Sequence, residues 1–451
     1  MVSLIQNSAK SLGFLFFQSG YSAVLGLITN LIITALAAKE VFGIYATTLA
    51  TITIFNYISD IGLAGALIQK KEVEKDDLST VFLVQQGIIS SLVLVGFIAT
   101  PFIQSFYRMP QDATYLYWAV LVGFFISSLK TIPSVLLERS VRFHEIVKVQ
   151  IAENTLFYVV VSTCIIAGLN LYSFAVGVLV RACTGTVLMY LRSPWRPTLV
   201  FNTAALRSLL SFGVPFQANS FMALIKDEMM VIFLGRTLGF QGLAEVMWAK
   251  KWAEAPIRII MDNVSKILFP VLSRLQDNGR YLQRTVNASI WLQTFILGPV
   301  ILGIGVGMPL FIRLVPQYEK WSNALPILYV FCASAFFSTL STPFMNVFNA
   351  LKKPKIPLVF MVFWTVATWV LTPWFIRMYG PIGFAYVQLA LSSSFVLVMY
   401  YAHKSLGLNF FSVYEVRDDV VHVMRLLYRR LMMKRMSAKQ TSAQDIIQKL
   451  D

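Results

Sequence analysis

Between Leu78 and Tyr107 the chain reads LSTVFLVQQGIISSLVLVGFIATPFIQSFY, with no Asp, Glu, Lys or Arg anywhere in the run. The hydrocarbon core of a bilayer is about 30 Å thick and takes roughly 20 helical residues to cross. A strand of a membrane barrel would be about half as long and would alternate in polarity, whereas Ser91-Leu92-Val93-Leu94-Val95-Gly96-Phe97-Ile98 is apolar almost without interruption. This stretch therefore reads as a membrane-crossing helix. Charge-free runs of the same kind extend over Ser11 to Ala38, Thr285 to Ile312, Trp321 to Leu351, Ile356 to Ile376 and Met378 to Ala402.

Composition agrees with this reading. Of 451 residues, 57% are hydrophobic and only 13% are charged, about half the ~25% of soluble domains. A soluble enzyme, a disordered chain and a disulfide framework are excluded, and Cys164, Cys183 and Cys332 lie in apolar runs. The first apolar run is too long for the core of a cleavable signal peptide. Division at charged, Gly, Pro and Asn punctuation predicts an all-α integral membrane protein. Its twelve crossings fall near 12–37, 42–67, 81–104, 114–137, 148–168, 172–191, 207–234, 241–270, 288–311, 324–349, 356–377 and 381–402.

The net charge of +16 admits nucleic acid, an anionic membrane face or an anionic substrate as partner, and the placement of the cations decides. Lys and Arg should gather in the cytoplasmic connections of a membrane protein. They do so at Lys70, Lys71 and Lys75, at Arg139, Arg142 and Lys148, at Arg192, Arg196 and Arg207, at Arg274, Arg280 and Arg284, at Lys352, Lys353 and Lys355, and in the tail. The alternate connections carry only Lys39, Arg108, Arg236, Arg313, Lys320 and Arg377. Both termini are thus expected in the cytoplasm, and the positive charge is mainly an orientation signal. Nucleic acid drops out as a partner.

Internal repetition points to two parallel six-helix lobes. Ser11-Leu12-Gly13-Phe14, followed by Gln18, recurs as Ser211-Phe212-Gly213-Val214, followed by Gln217, and Gly43-Ile44 recurs as Gly242-Leu243. The expected organisation is a first lobe over 1–191, a cytoplasmic linker over 192–206, a second lobe over 207–404 and a basic amphipathic tail over 405–451. In that tail Val420, Met424, Leu427 and Leu431 share one face, and Arg425, Arg429, Arg430, Lys434 and Arg435 surround it, which suits an anionic leaflet.

Charges inside the expected crossings are the candidate functional residues. A charged side chain facing lipid at mid-bilayer costs roughly 2.5–3.5 kcal/mol, so these groups must pair, sit near helix ends or face a water-filled cavity. The cations Lys130, Arg181, Lys226, Lys250, Lys251, Arg258 and Lys266 are the candidate substrate-binding residues. The acids Asp60, Glu153, Asp227, Glu228, Glu254 and Asp262 are candidates for coupling to an ion gradient, of protons or sodium. Lys250, Glu254, Arg258, Asp262 and Lys266 recur every four residues with alternating sign, which places them on one slowly winding face of a helix. Pro256 interrupts that helix's hydrogen bonding. No histidine has a partner at metal-ligand spacing, and neither a phosphate-cradling Gly loop nor a G-x-S-x-G motif occurs. No catalytic residue, metal or cofactor is expected.

Three strings make the sequence resemble the Wzx-type oligosaccharide and polysaccharide flippases of the multidrug/oligosaccharidyl-lipid/polysaccharide exporter superfamily. They are Ser59-Asp60-Ile61-Gly62-Leu63 continuing through Ala66-Leu67-Ile68-Gln69-Lys70 to Asp77-Leu78-Ser79-Thr80-Val81-Phe82, then Ile132-Pro133-Ser134-Val135-Leu136-Leu137-Glu138-Arg139 followed by Arg142-Phe143, and Leu268-Phe269-Pro270-Val271-Leu272-Ser273-Arg274-Leu275-Gln276-Asp277. The resemblance spans roughly residues 1 to 405. It implies two six-helix bundles forming a V around a central cavity of alternating access. It also implies a substrate, a polyprenyl-diphosphate-linked oligosaccharide carried across the bacterial inner membrane for exopolysaccharide or lipopolysaccharide synthesis. Expected partners are that lipid-linked oligosaccharide and membrane lipids, with a polysaccharide polymerase and export machinery as further candidates. A drug or small-molecule exporter of the same superfamily is the alternative, and a membrane polymerase or ligase a more remote one. The chain departs from the family pattern at Ala244-Glu245, where a tyrosine is common after Gly242-Leu243, and its twelve crossings argue against the fourteen-helix peptidoglycan-precursor branch.

Overall fold

The computed structural model describes residues 2–406 except positions 61, 71, 141, 194, 276, 277, 352 and 354; within helices, some side chains are also outside the described set. The amphipathic tail expected over 405–451 lies, from 407 onward, outside the described residues.

The described chain is helical from end to end: α1 Val2–Leu36, α2 Lys39–Asp60, α3 Leu63–Gln69, α4 Lys75–Ile98, α5 Thr100–Tyr107, α6 Gln111–Ser128, α7 Thr131–Arg139, α8 Phe143–Ile166, α9 Leu171–Arg192, α10 Thr203–Arg274, α11 Gly279–Leu314, a 3-10 segment Pro316–Ala324, α12 Leu325–Ala350, α13 Lys355–Tyr379, α14 Ile382–Ser392 and α15 Phe395–Leu406. Each crossing expected from the sequence falls on one of these helices, or on two consecutive ones joined by a short break. The breaks have local causes. Gly62 takes φ 74° between α2 and α3, a left-handed conformation that costs little only without a Cβ. Pro101 opens α5 one turn beyond α4. Gly239 takes φ 69° and ψ 174° inside the 72-residue α10, separating the segments expected as the seventh and eighth crossings.

By length and apolarity nine described helices can cross a bilayer, or ten if the α6–α7 pair, bent by 40°, counts as one span. The sequence suggests twelve. The difference arises where Leu224–Ile257 of α10 counts as one stretch across Gly239, and at α1, whose apolar described stretch Gly20–Leu36 falls just short. Polarity is inverted relative to a soluble protein. Leu94, Val95, Ile98, Val306, Leu310, Val366 and Val370 are exposed, while Thr29, Asn30, Thr34, Gln85, Glu153, Asn287, Gln293 and Thr368 are buried. In lipid no hydrophobic force drives helices together, so small and polar residues supply the contacts between them.

Two compact units emerge, Met1–Trp252 with Val306–Phe331 and Val362–Val387, and Ala253–Gly305 with Cys332–Met361 and Gln388–Asp451. In the first, α1, α6, α8 and α9 pack most closely. Tyr21 and Thr155 share a hydrogen bond of 3.0 Å between their hydroxyls, and Asn154 donates to Ser22 at 3.3 Å. In the second unit Phe337 stacks on Phe395 at 5.6 Å, and Tyr401 meets Phe348 at 6.0 Å and Phe360 at 6.3 Å.

Two of the strings that carry the family resemblance fold into one knot. Leu63, Ala66 and Leu67 of α3, Leu78 and Val81 of α4, and Ile132 and Val135 of α7 share a buried cluster. Arg139, ending α7, donates to the carbonyls of Leu67, Ile68 and Lys70 and so caps the C-terminal end of α3. Lys70 reaches the buried Asp77 at 2.7 Å, and Asp77 accepts the Glu74 amide at 2.9 Å in a capping box that starts α4. Hydrogen bonds from a charged donor contribute about 1.5–3 kcal/mol each, part of which water replaces at a helix end. Arg139→Ala is therefore expected to destabilise the first unit by about 2–3 kcal/mol, seen as a lower unfolding temperature in detergent, and Arg139→Lys, which lacks the fork, to recover only part of the loss.

Candidate functional site

The charged residues of the first unit divide into a buried pair, exposed cations and a clasp. Lys130 caps α7 where α6 bends, and its ammonium is ion-paired with Glu153 of α8. Glu153 is buried, and Gly185 of α9 passes so close that a Cβ there would overlap both the Glu153 carboxylate and the Lys130 ammonium. These two, expected separately as a substrate cation and a coupling acid, are brought together as partners of each other.

Arg181 lies at the centre of α9 and is exposed. Its guanidinium sits 5.7 Å from the centre of the Phe157 ring, which in turn meets the Tyr158 ring at 5.4 Å. Lys251 of α10 is exposed as well; it donates to Asn30 of α1 at 2.7 Å and lies 5.9 Å from the Phe42 ring centre. Its neighbour Lys250 is half-buried. Earlier on α10, Lys226 and Glu228 are half-buried and Asp227 is exposed, beside Ile225, whose carbonyl accepts the Trp369 indole at 3.0 Å. Glu254 is half-buried on the same helix. The side chains of Arg258, Asp262, Lys266 and Asp60 lie outside the described residues, so of the α10 stripe only Lys250 and Glu254 are placed. Among the described residues no cluster of His, Cys, Asp or Glu suited to a metal occurs.

At the charge-poor end of the first unit, cations expected in connections bind neighbouring helices. Lys39, opening α2, is ion-paired with Glu245 of α10 at 2.5 Å, both largely buried. Gln241 donates to Glu40 at 2.7 Å, and Gly43 of α2 passes against the Phe240 carbonyl, just after the Gly239 break, so closely that a Cβ would overlap it. From the 3-10 segment, Tyr318 shares a hydrogen bond of 2.7 Å with Thr34, Trp321 donates to the Thr34 carbonyl at 2.8 Å, and Lys320 donates to the carbonyls of Ala35 and Ala37 at 2.9 and 2.5 Å. The last carbonyls of α1 are capped by that ammonium, a favourable place for a cation. Trp321 in turn stacks on Trp248 at 5.1 Å with an angle of 10°. Gly43, in the first of the two repeated Gly-containing pairs, meets Phe240, two residues before Gly242 of the second. Glu245, part of the departure from the family pattern, is the residue that takes Lys39.

Membrane-length helices with charged residues within them define the class, a multi-pass helical membrane protein. The chain belongs to the polysaccharide biosynthesis protein family, whose sequence pattern matches residues 32–326. It is 24% identical over 347 residues to the lipopolysaccharide biosynthesis protein WzxC of Escherichia coli K12, an alignment covering 76% of this chain and 69% of that one. It is 22% identical over 296 residues to the teichuronic acid biosynthesis protein TuaB of Bacillus subtilis 168, covering 64% of this chain and 60% of the relative. Its fold matches the lipid II flippase MurJ in an inward closed conformation, with a TM-score of 0.70 at 15% identity over 93% of this chain and 92% of that one. It also matches a multidrug resistance transporter of the MATE family in an inward-facing conformation, with a TM-score of 0.65 at 14% identity over 86% and 94% of the two chains.

Proposed function

We propose that this protein is a flippase that carries a polyprenyl-diphosphate-linked oligosaccharide across the bacterial inner membrane for exopolysaccharide or lipopolysaccharide synthesis, with both termini in the cytoplasm. The observation that carries the reading is the pair of exposed cations within membrane-length helices, Arg181 and Lys251, in a chain of a polysaccharide biosynthesis family. Cations facing water at that depth give a passing diphosphate and its glycan a stabilising path that lipid does not offer. Lys226, Lys250, Arg258 and Lys266 are the further cations of α10 that we assign to substrate binding.

In this reading the Lys39–Glu245 pair and the clasp on α1 form the outer gate, closed here, and the two six-helix lobes over 1–191 and 207–404 rock about the cavity to open it. Asp227, Glu228, Glu254, Asp60 and Asp262 are the acids available to couple the movement to a proton or sodium gradient. The protein acts as a transporter without catalytic residues, and hands its cargo to a polymerase and the export machinery beyond.

The test in cells is a deletion strain. Loss of the gene is expected to stop surface polymer and to leave lipid-linked repeat units on the cytoplasmic leaflet, both reversed by the intact gene. A deletion that leaves the polymer intact while sensitising cells to small cationic drugs would replace this reading with that of a small-molecule exporter.

A further inference from the structure

Arg181 stands midway along the 22 residues of α9, about 15 Å from either helix end at 1.5 Å per residue, yet its side chain is exposed. Against lipid this placement would be strongly unfavourable, so the guanidinium faces water. Its surroundings supply donors and aromatic faces. Tyr158 of α8 packs against Phe157 with ring centres 5.4 Å apart, and the ring of Tyr45 on α2 stacks at 4.0 Å on Phe174, two turns before Arg181 on α9. Phe157 lies under the guanidinium itself. On the far side the Tyr158 hydroxyl abuts Gly26 of α1. Among the described side chains no carboxylate pairs with Arg181, and Glu153, one turn before Phe157, is taken by Lys130.

We infer that Arg181, Tyr45 and Tyr158 form an oxyanion subsite that binds the carboxylate of an acidic sugar in the transported oligosaccharide. A guanidinium presents two parallel donors to a planar carboxylate, phenol hydroxyls add neutral donors, and the buried Phe157 ring holds the guanidinium in place. A single cation matches the single charge of a sugar acid; the doubly charged diphosphate is better matched by the adjacent Lys250 and Lys251 of α10. The inference rests on the flippase reading and narrows its substrate to acidic glycans.

The test is binding to the detergent-purified full chain by titration calorimetry, with three probes: a soluble glucuronate-containing tetrasaccharide, the matched tetrasaccharide with glucose in place of glucuronate, and inorganic diphosphate. The acidic probe is expected to bind at least tenfold more tightly than the neutral one. Arg181→Gln should abolish that preference, Arg181→Lys should keep part of it, and Tyr45→Phe with Tyr158→Phe should weaken it several-fold, all at unchanged unfolding temperature. Equal binding of the two sugars, no binding of the acidic one, or a diphosphate affinity that Arg181→Gln removes would each overturn the assignment. Transport separates this inference from the function it rests on. Wild-type flipping of acidic lipid-linked substrate that Arg181→Gln leaves untouched sinks the subsite alone, whereas absence of flipping of any lipid-linked oligosaccharide by the wild type sinks the function.

Discussion

Lys130→Met is expected to destabilise the first unit by about 3–5 kcal/mol, because it strands the Glu153 carboxylate in a buried site without its counter-charge. Glu153 is the more deeply enclosed partner, with 6% side-chain exposure against 21% for Lys130. Glu153→Leu should therefore cost less, since the ammonium it leaves behind can reach water. Removing both charges with apolar residues of similar size is often neutral or stabilising, because the desolvation of two ions is avoided. The double variant Lys130→Met, Glu153→Leu is accordingly expected to regain most of the unfolding temperature lost by Lys130→Met. It is also expected to transport, since the pair is locked against Gly185 between α7, α8 and α9. A double variant that folds to wild-type stability but transports nothing would return Glu153 to the coupling role that its charge first suggested.

The second large effect is expected at Gly43. A side chain there meets the Phe240 carbonyl, a backbone atom that cannot rotate away, so Gly43→Val must push α2 and α10 apart. Overpacking of this kind costs about 1–3 kcal/mol; against a backbone atom we expect about 1.5–3 kcal/mol, borne only by the state with this end closed, which shifts its population by roughly ten- to 150-fold. The readout is a cysteine at Ala37, buried at 2% exposure beneath the clasp, in a protein whose native cysteines are replaced by serine. Labelling by a membrane-impermeant maleimide should be at least tenfold faster with Gly43→Val than without it, and Glu245→Ala, which removes only the Lys39 pair, should give a smaller increase. Identical labelling rates in all three proteins would show that this contact does not shut the outer end.

The helices were legible because lipid imposes one requirement on every crossing, an apolar run long enough to span it, and Leu78–Tyr107 states that requirement in plain residues. Their interruptions were partly legible. The glycines at 62 and 239 sit where the backbone turns left-handed, but glycine is also common in unbroken membrane helices, so its presence did not separate α2 from α3. Arg181 was readable as a lone charge at the middle of a crossing, since α9 has no other between Leu171 and Tyr190. Partnerships were not readable. Lys130 and Glu153 are 23 residues apart and Lys39 and Glu245 are 206 apart, and no local period links residues on different helices. Lys39 and Lys320 fall in connections by hydropathy, which sees only that they interrupt apolar runs; that Lys320 caps α1 depends on the 3-10 segment folding back over Thr34, and that Lys39 ties α2 to α10 depends on Glu245. Of the stripe expected on α10, the described members Lys250 and Glu254 lie four residues apart on one helix.

The most direct test of the central claim is flipping by the purified protein in liposomes that contain a polyprenyl-diphosphate-linked oligosaccharide, followed as the fraction of glycan open to an added sugar-cleaving enzyme, with and without an imposed proton or sodium gradient. The account predicts a protein-dependent rise in that fraction, abolished by Lys251→Ala together with Arg181→Gln and retained by Lys130→Met together with Glu153→Leu. A fraction that stays at the level of protein-free liposomes under every gradient would contradict it.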